Sequence, residues 1–227
     1  MTEMTNIREV AKKLLTVTSL SGGVDDSLWD RTKRLAKSVE LISNMPQITQ
    51  RNMQVDRFSL ISAAYFNYAA LAYGRENPAQ QSLSAVNVDC QTSADIAEKV
   101  LKGKVEPARI QKINRILVES SGNFTHMIEA MILSDARNLE EMGAAGLFNE
   151  IKSYAFTGKS VSGGLKTWQR KIEYQYWQAR LEENFRFDQV RILAQQRLET
   201  AQSFMQQLKI EVETEDIKQT IETSTVA

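Results

Sequence analysis

The 227-residue chain holds 28 basic and 28 acidic residues, 42% hydrophobic residues and a single histidine, a balance typical of a globular protein long enough to bury one sizeable core. A formal charge of zero supplies no field to draw nucleic acid or an anionic membrane, and the one cysteine, Cys90, excludes an internal disulfide framework and thiolate zinc clusters. No run reaches the about 20 apolar residues of a membrane span, and the opening MTEMTNIREVAKKLL lacks the apolar stretch of a secretory signal, so a cytoplasmic location with no membrane and no nucleic-acid partner is expected.

With three prolines, ten glycines and an abundance of Ala, Leu, Gln, Glu, Lys and Arg, the chain predicts an all-α fold. Ile7, Val10, Ala11, Leu14 and Leu15 mark a first amphipathic helix, closed by Ser19 to Gly23. Asp25, Asp26 and Ser27 offer N-caps for a second, carrying Leu28, Leu35, Val39, Leu41 and Ile42. Val55 to Tyr73 is apolar almost all round and predicts a central helix enclosed by others. Residues 74–91 read as a surface loop, and Thr92 or Ser93 as the cap of a helix through Ile96, Val100 and Leu101. Pro107 opens another, whose face is Ile110, Ile113, Ile116, Leu117 and Val118.

Met127, Ile128, Met131 and Ile132, then Leu139, Met142, Gly143 and Leu147, predict two helical segments meeting near Asp135. Asp135 there reads as an N-cap or as the partner of Arg137 or Arg31. Gly143, Ala144, Ala145 and Gly146 would let the second segment lie close against a neighbour. Residues 158–164, GKSVSGG, read as a flexible loop without the Lys-Ser/Thr of a phosphate loop. A long helical region follows, from Leu165 through Trp168 and on to Leu208, whose aromatics read as core or dimer contacts. Residues 211–227, acidic and Thr-rich, read as a disordered tail.

The run IEAMILSDARNLEEMGAAGL from Ile128 to Leu147 resembles the segment carrying the final aspartate in HD-domain metal-dependent phosphohydrolases, where the text runs Asp-Ala-Asp-Arg-Leu and then Gly-Ala-x-Gly. Asp135, Ala136, Leu139, Gly143, Ala144 and Gly146 fall on those letters. Upstream, Arg31, Leu35 and Ala36 fit the frame that follows the family's first His, whose position is Leu28. Ala63, Ala64, Tyr65 and Phe66 resemble the approach to the His-Asp pair, and Asn67 and Tyr68 stand where the pair belongs. Leu193, Ala194, Arg197 and Phe204 resemble the family's last helix. The resemblance spans residues 24–208 and implies a single-domain HD-like helical bundle over residues 1–210.

The family's chemistry needs imidazoles and carboxylates around a metal that activates water. With His126 as its only histidine, this chain lacks that set, and His126 itself reads as an exposed or capping residue at a helix start. The expected protein is therefore a degenerate member that serves as a ligand-binding or protein-interaction module, with no resident cofactor. Its former metal positions are Leu28, Asn67, Tyr68 and Asp135. Arg31 and Arg34 are the candidate contacts for a small phosphate-bearing ligand. The alternative is a phosphohydrolase of a nucleotide or small phosphomonoester that holds Mg²⁺ or Mn²⁺ at Asp135, helped by Asp30, Asp56 or Glu119. A third reading is a helical scaffold or homodimer whose former site is filled by Leu28, Trp29, Tyr65, Phe66 and Tyr68.

Overall fold

The computed structural model describes residues 2–18, 24–50, 54–76, 89–122 and 124–225. It is an all-α helical bundle, and its contacts divide the chain into two compact units, Met1–Arg137 and Asn138–Ala227, where the sequence suggested one domain. Among the described residues, no helix is long and apolar enough to cross a membrane.

The first unit holds α1 (Glu3–Leu15), α2 (Ser27–Ile42), α3 (Pro46–Thr49), α4 (Arg57–Phe66), α5 (Ala69–Glu76), α6 (Cys90–Leu101), α7 (Pro107–Glu119) and most of α8 (Ile128–Glu140). A two-residue antiparallel pairing of Val17–Thr18 with Val24–Asp25 precedes α2. Ile7, Leu15, Leu35, Leu60, Phe66, Ile113, Ile116 and Leu117 are fully buried, and these segments form helices that take their apolar surface out of water.

Polar contacts at both ends set α4, α7 and α8 side by side in the same direction. At the start, Glu129 accepts from the Asp56 backbone N–H (2.9 Å), and Lys112 reaches Asp56 at 3.0 Å and Glu129 at 3.2 Å. At the other end Arg137 of α8 meets Asn67, just past α4, and Ser120, just past α7. The register is thus fixed twice, about 15 Å apart along α4.

Asp56 is also the N-cap of α4, accepting from the Ser59 N–H (3.1 Å) and the Ser59 hydroxyl (2.8 Å). Burial pushes its carboxyl up, but the Ser59 bonds and Lys112 outweigh burial and hold it below the usual carboxylate range. A depressed carboxyl contributes stability that is present above its ordinary value of 3.8 and lost as pH falls through the lowered one. Asp56→Asn should keep most of the cap and flatten this acid limb in urea titrations followed below pH about 4. Asp56→Ala should lose about 1 kcal/mol at neutral pH as well.

The central helix is not continuous, as its sequence suggested, but breaks at Asn67–Tyr68. The Ser93 hydroxyl enters the backbone ladder there, donating to the Asn67 carbonyl and accepting from the Ala70 N–H, each at 3.2 Å. A side chain that takes over ladder groups bends or interrupts a helix. The cap of α6 is Asp89, which accepts from the Thr92 N–H (2.9 Å) and hydroxyl (2.6 Å), in place of Thr92 or Ser93. Residues 19–23 and 77–88 of the expected loops lie outside the described residues.

Asp135 does not mark a junction: it lies inside α8, and the chain turns later, at Glu141 and Met142. The second unit then holds α9 (Gly143–Phe156), α10 (Val161–Glu173), α11 (Tyr176–Glu183), α12 (Asp188–Val212) and α13 (Glu215–Thr225). Gly143, at φ +75°, lets α9 rest on α12: a Cβ there would stand 2.8 Å from Arg197 Cβ. Arg197 in turn donates to the Leu139 carbonyl at 3.0 Å.

Three further expectations are corrected in this unit. The Gly-Ser stretch read as a loop supplies the first turn of α10, because Ser160 caps it by accepting from the Gly163 N–H (3.2 Å) and Gly164 lies under the Tyr154 ring. The long helix expected beyond Leu165 is interrupted at Gln175, whose φ of +53° ends α10 and starts α11. The segment read as a disordered tail continues as helix up to Thr225, with α13 following α12 after Glu213 and Thr214.

Candidate functional site

The positions that the resemblance assigns to metal ligands all belong to the first unit. Leu28, on the inner face of α2, is 5% exposed; Asn67 and Tyr68, in the break after α4, and Asp135, on α8, are 0% exposed. Arg31 lies one turn beyond Leu28 on the same buried face, and its guanidinium stands 4.3 Å above the centre of the Tyr68 ring. Trp29 is buried as well and stacks on Tyr65, with 5.9 Å between ring centres.

Arg34 does not join them. It faces outward and pairs with Asp30 at 2.6 Å, beside Lys33 at 3.0 Å from the same carboxylate. The hydrogen bond from Lys33, opposed by slight burial and aided by Arg34, holds the Asp30 carboxyl below its usual range. Asp30 is thereby engaged on the surface, and Asp56 caps α4 at its opposite end. Glu119 is bound to Arg115 at 2.5 Å and accepts from Thr125 at 2.5 Å; the Thr125 bond, then the Arg115 bond, lower its carboxyl. The three proposed helpers therefore do not gather around Asp135. His126, just before α8, is exposed.

The side chain that does gather the region together is Arg137. It donates from Nη2 to the Ser120 carbonyl (2.7 Å) and from Nη1 to Cys90 Sγ (3.0 Å), Ser120 Oγ (3.3 Å) and Asn67 Oδ1 (3.4 Å). One guanidinium thus ties the break after α4, the first residue of α6, the end of α7 and α8. A planar fork with five donors suits this work, and lysine has no equivalent. Sequence reading considered Arg137 as a partner for Asp135; the acceptors it meets 70, 47 and 17 positions away are announced by no local pattern.

A divalent ion does not fit this donor set. Among the described residues, no three His, Cys, Asp or Glu side chains are grouped so as to hold a metal. Of the four positions that the resemblance assigns to ligands, Leu28 has no donor, Asn67 Oδ1 accepts from a guanidinium, and the Tyr68 ring carries another on its face. Asp135 is the one carboxylate in the set, and a single carboxylate is a poor cage for Mg²⁺ or Mn²⁺.

No protein-family model matches the chain, and no curated protein matches its sequence. Solved structures do match by fold. The chain is similar to the Lin1889 protein of Listeria innocua, with 18% identity, 94% of this chain and 98% of that one covered, and a TM-score of 0.60. It is similar to Bacillus subtilis YpgQ, solved in complex with ADP, at 17% identity, with 92% and 94% covered and a TM-score of 0.60. A Lactobacillus plantarum protein matches at 14% identity, with 93% and 97% covered and a TM-score of 0.59. At such identities the likeness establishes the fold alone.

Proposed function

We propose that this chain is a degenerate HD-like protein in which a packed polar core replaces the metal-dependent phosphohydrolase site, and that it works as a protein-interaction module. The observation that carries this reading is the placement of two guanidinium groups on the residues that stand for the family's His-Asp pair. Arg31 covers the Tyr68 ring, and Arg137 donates to Asn67 Oδ1. In the register of the Asp135 segment, Arg137 and Asn138 stand where the family's text has Asp and Arg. A cation thus replaces a carboxylate two residues from the former ligand, and the local field turns against a metal ion.

Burial supports the same reading. Leu28, Trp29, Phe66 and Tyr68 are all buried, so the face that would have received a phosphate ester carries apolar and aromatic groups. Arg34, one of the two arginines proposed to meet phosphate, is held by Asp30 on the outer surface.

The ADP bound to YpgQ makes nucleotide binding the competing reading for a chain of this fold. Titration calorimetry with ADP, in the presence and absence of Mn²⁺, decides between them. The proposal expects no saturable heat and no phosphate release from ADP or p-nitrophenyl phosphate. Saturable binding that Arg31→Ala abolishes would instead establish a ligand site at the former metal centre.

A further inference from the structure

The second unit contains a groove and, on the same chain, a helix of complementary chemistry that does not fill it. The groove lies between α10 and α12 and encloses about 610 Å³. Leu165, Trp168, Ile172 and Met205 give it an apolar lining, while Lys166 and Lys209 add positive charge to its walls. The converse surface is α13. Ile217 and Ile221, one turn apart, are 57% and 61% exposed, and none of the helix's described residues is buried. Between Glu211 and Glu222 the chain carries five carboxylates, Glu211, Glu213, Glu215, Asp216 and Glu222, against the single cation Lys218.

Dimensions agree as well as charge. The 11 residues of α13 rise about 16 Å, and the α12 side of the groove, from Gln202 to Glu213, rises about the same. A helix of that length is marginal in water unless a surface receives its apolar stripe, and apolar residues at i and i+4 entering a groove are an established way of supplying one.

We propose that α13 of one copy seats in the α10–α12 groove of a second copy, and that the second copy's α13 returns the contact, so that the chain forms a two-fold dimer. Ile217 and Ile221 enter the apolar lining, and Glu215 and Asp216 meet Lys166 and Lys209. The connection between the two helices favours a second copy over the chain's own groove. The Glu213 N–H donates to the Lys209 carbonyl, the Thr214 N–H to the Glu211 carbonyl and the Lys218 N–H to the Thr214 carbonyl. Thr214 itself holds φ +58°. Turning α13 back into its own groove would break this connection, in which Glu213 also lines the groove, whereas a second copy's helix enters with both chains unchanged.

Light scattering coupled to size exclusion, run across a concentration series on the full chain, tests this. The wild type should have twice the chain mass, and Ile217→Asp with Ile221→Asp should raise the dimer dissociation constant by at least about a hundredfold. Because those substitutions can also unwind α13, the charges give a second arm. Lys166→Glu with Lys209→Glu should weaken the dimer, and adding Glu215→Lys and Asp216→Lys to the same chain should restore it. A monomeric wild type, or a dimer indifferent to both sets, would overturn the proposal. So would a disulfide between Ile217→Cys and Gln206→Cys that joins only residues of one chain in mixtures of light and heavy isotope-labelled protein, since that places α13 in its own groove.

Discussion

Alanine at Gly146 is expected to lower the stability of the second unit by about 1–3 kcal/mol, the range in which overpacking of a packed region falls. Gly146 lies in the first turn of α9, directly against the turn that ends α8. A Cβ there would enter the Glu141 carbonyl group and approach Glu141 Cα at 3.0 Å. Neither neighbour is a flexible side-chain tip that can swing aside, so the backbone itself must move. The turn has little freedom to do so. Arg180 holds Glu141 at 2.6 Å and Asn138 at 2.8 Å, and Asn138 donates to the Asn184 carbonyl at 2.9 Å. Burial works against the Arg180 charge, but Glu141 prevails and keeps its guanidinium more basic than usual, which marks a firmly coupled pair. Urea unfolding followed by the fluorescence of Trp168 and Trp177, both in this unit, reads the loss directly. Full wild-type stability in Gly146→Ala would show that the approach of α9 to the preceding turn is looser than described.

Replacement of Arg137 by methionine should destabilise the first unit by about 2–3 kcal/mol, because hydrogen bonds to a charged group are worth about 1.5–3 kcal/mol and buried acceptors left unmet cost about as much. Methionine keeps much of the stem's apolar contact, so the change isolates the guanidinium. The Ser120 carbonyl would lose a 2.7 Å bond, and Cys90, Ser120 Oγ and Asn67 Oδ1 would lose the donor they share. Arg137→Lys should recover only part of the loss, since one ammonium cannot reach four acceptors on three elements. A fall in protection from hydrogen exchange at the end of α4 and the start of α6 should accompany the drop. Full recovery by lysine would mean that charge alone, and not the fork, organises this junction.

The helices were largely legible in the sequence because burial imposes a period on the chain. Ile110, Ile113, Ile116 and Leu117 announce α7 by spacing alone, and Pro107 marks its first turn. Interruptions were legible only where their cause is local. Nothing near Asn67 reveals that Ser93, 26 positions away, will enter the ladder and split α4 from α5. The start of α10 was hidden for the opposite reason: glycines that usually signal a loop are tolerated there because Ser160 caps the helix and Tyr154 covers Gly164. Helix α13 exposes what most helices hide, so composition pointed to disorder.

The candidate site shows the same division. That Leu28, Asn67 and Tyr68 do not match the ligands the resemblance expects is visible in the letters, because a metal site needs particular donors at particular positions. What takes their place is not visible. The cation over Tyr68 comes from α2 and the donor to Asn67 from α8, and only the packed bundle brings them together. Arg34 shows the limit from the other side, since spacing on one helix did not determine whether it would face the interior or pair with Asp30 in water.

The most direct measurement of the central claim is the metal content of the untagged protein, purified without chelator and equilibrated in turn with Mg²⁺, Mn²⁺, Fe²⁺, Ni²⁺ and Zn²⁺, read by native mass spectrometry on the wild type and on Asp135→Ala. Two guanidinium groups around the positions that the resemblance gives to the His-Asp pair predict no stoichiometric ion in either protein. One ion per chain in the wild type, lost in Asp135→Ala, would contradict the account and restore a metal-dependent phosphohydrolase as the function to pursue.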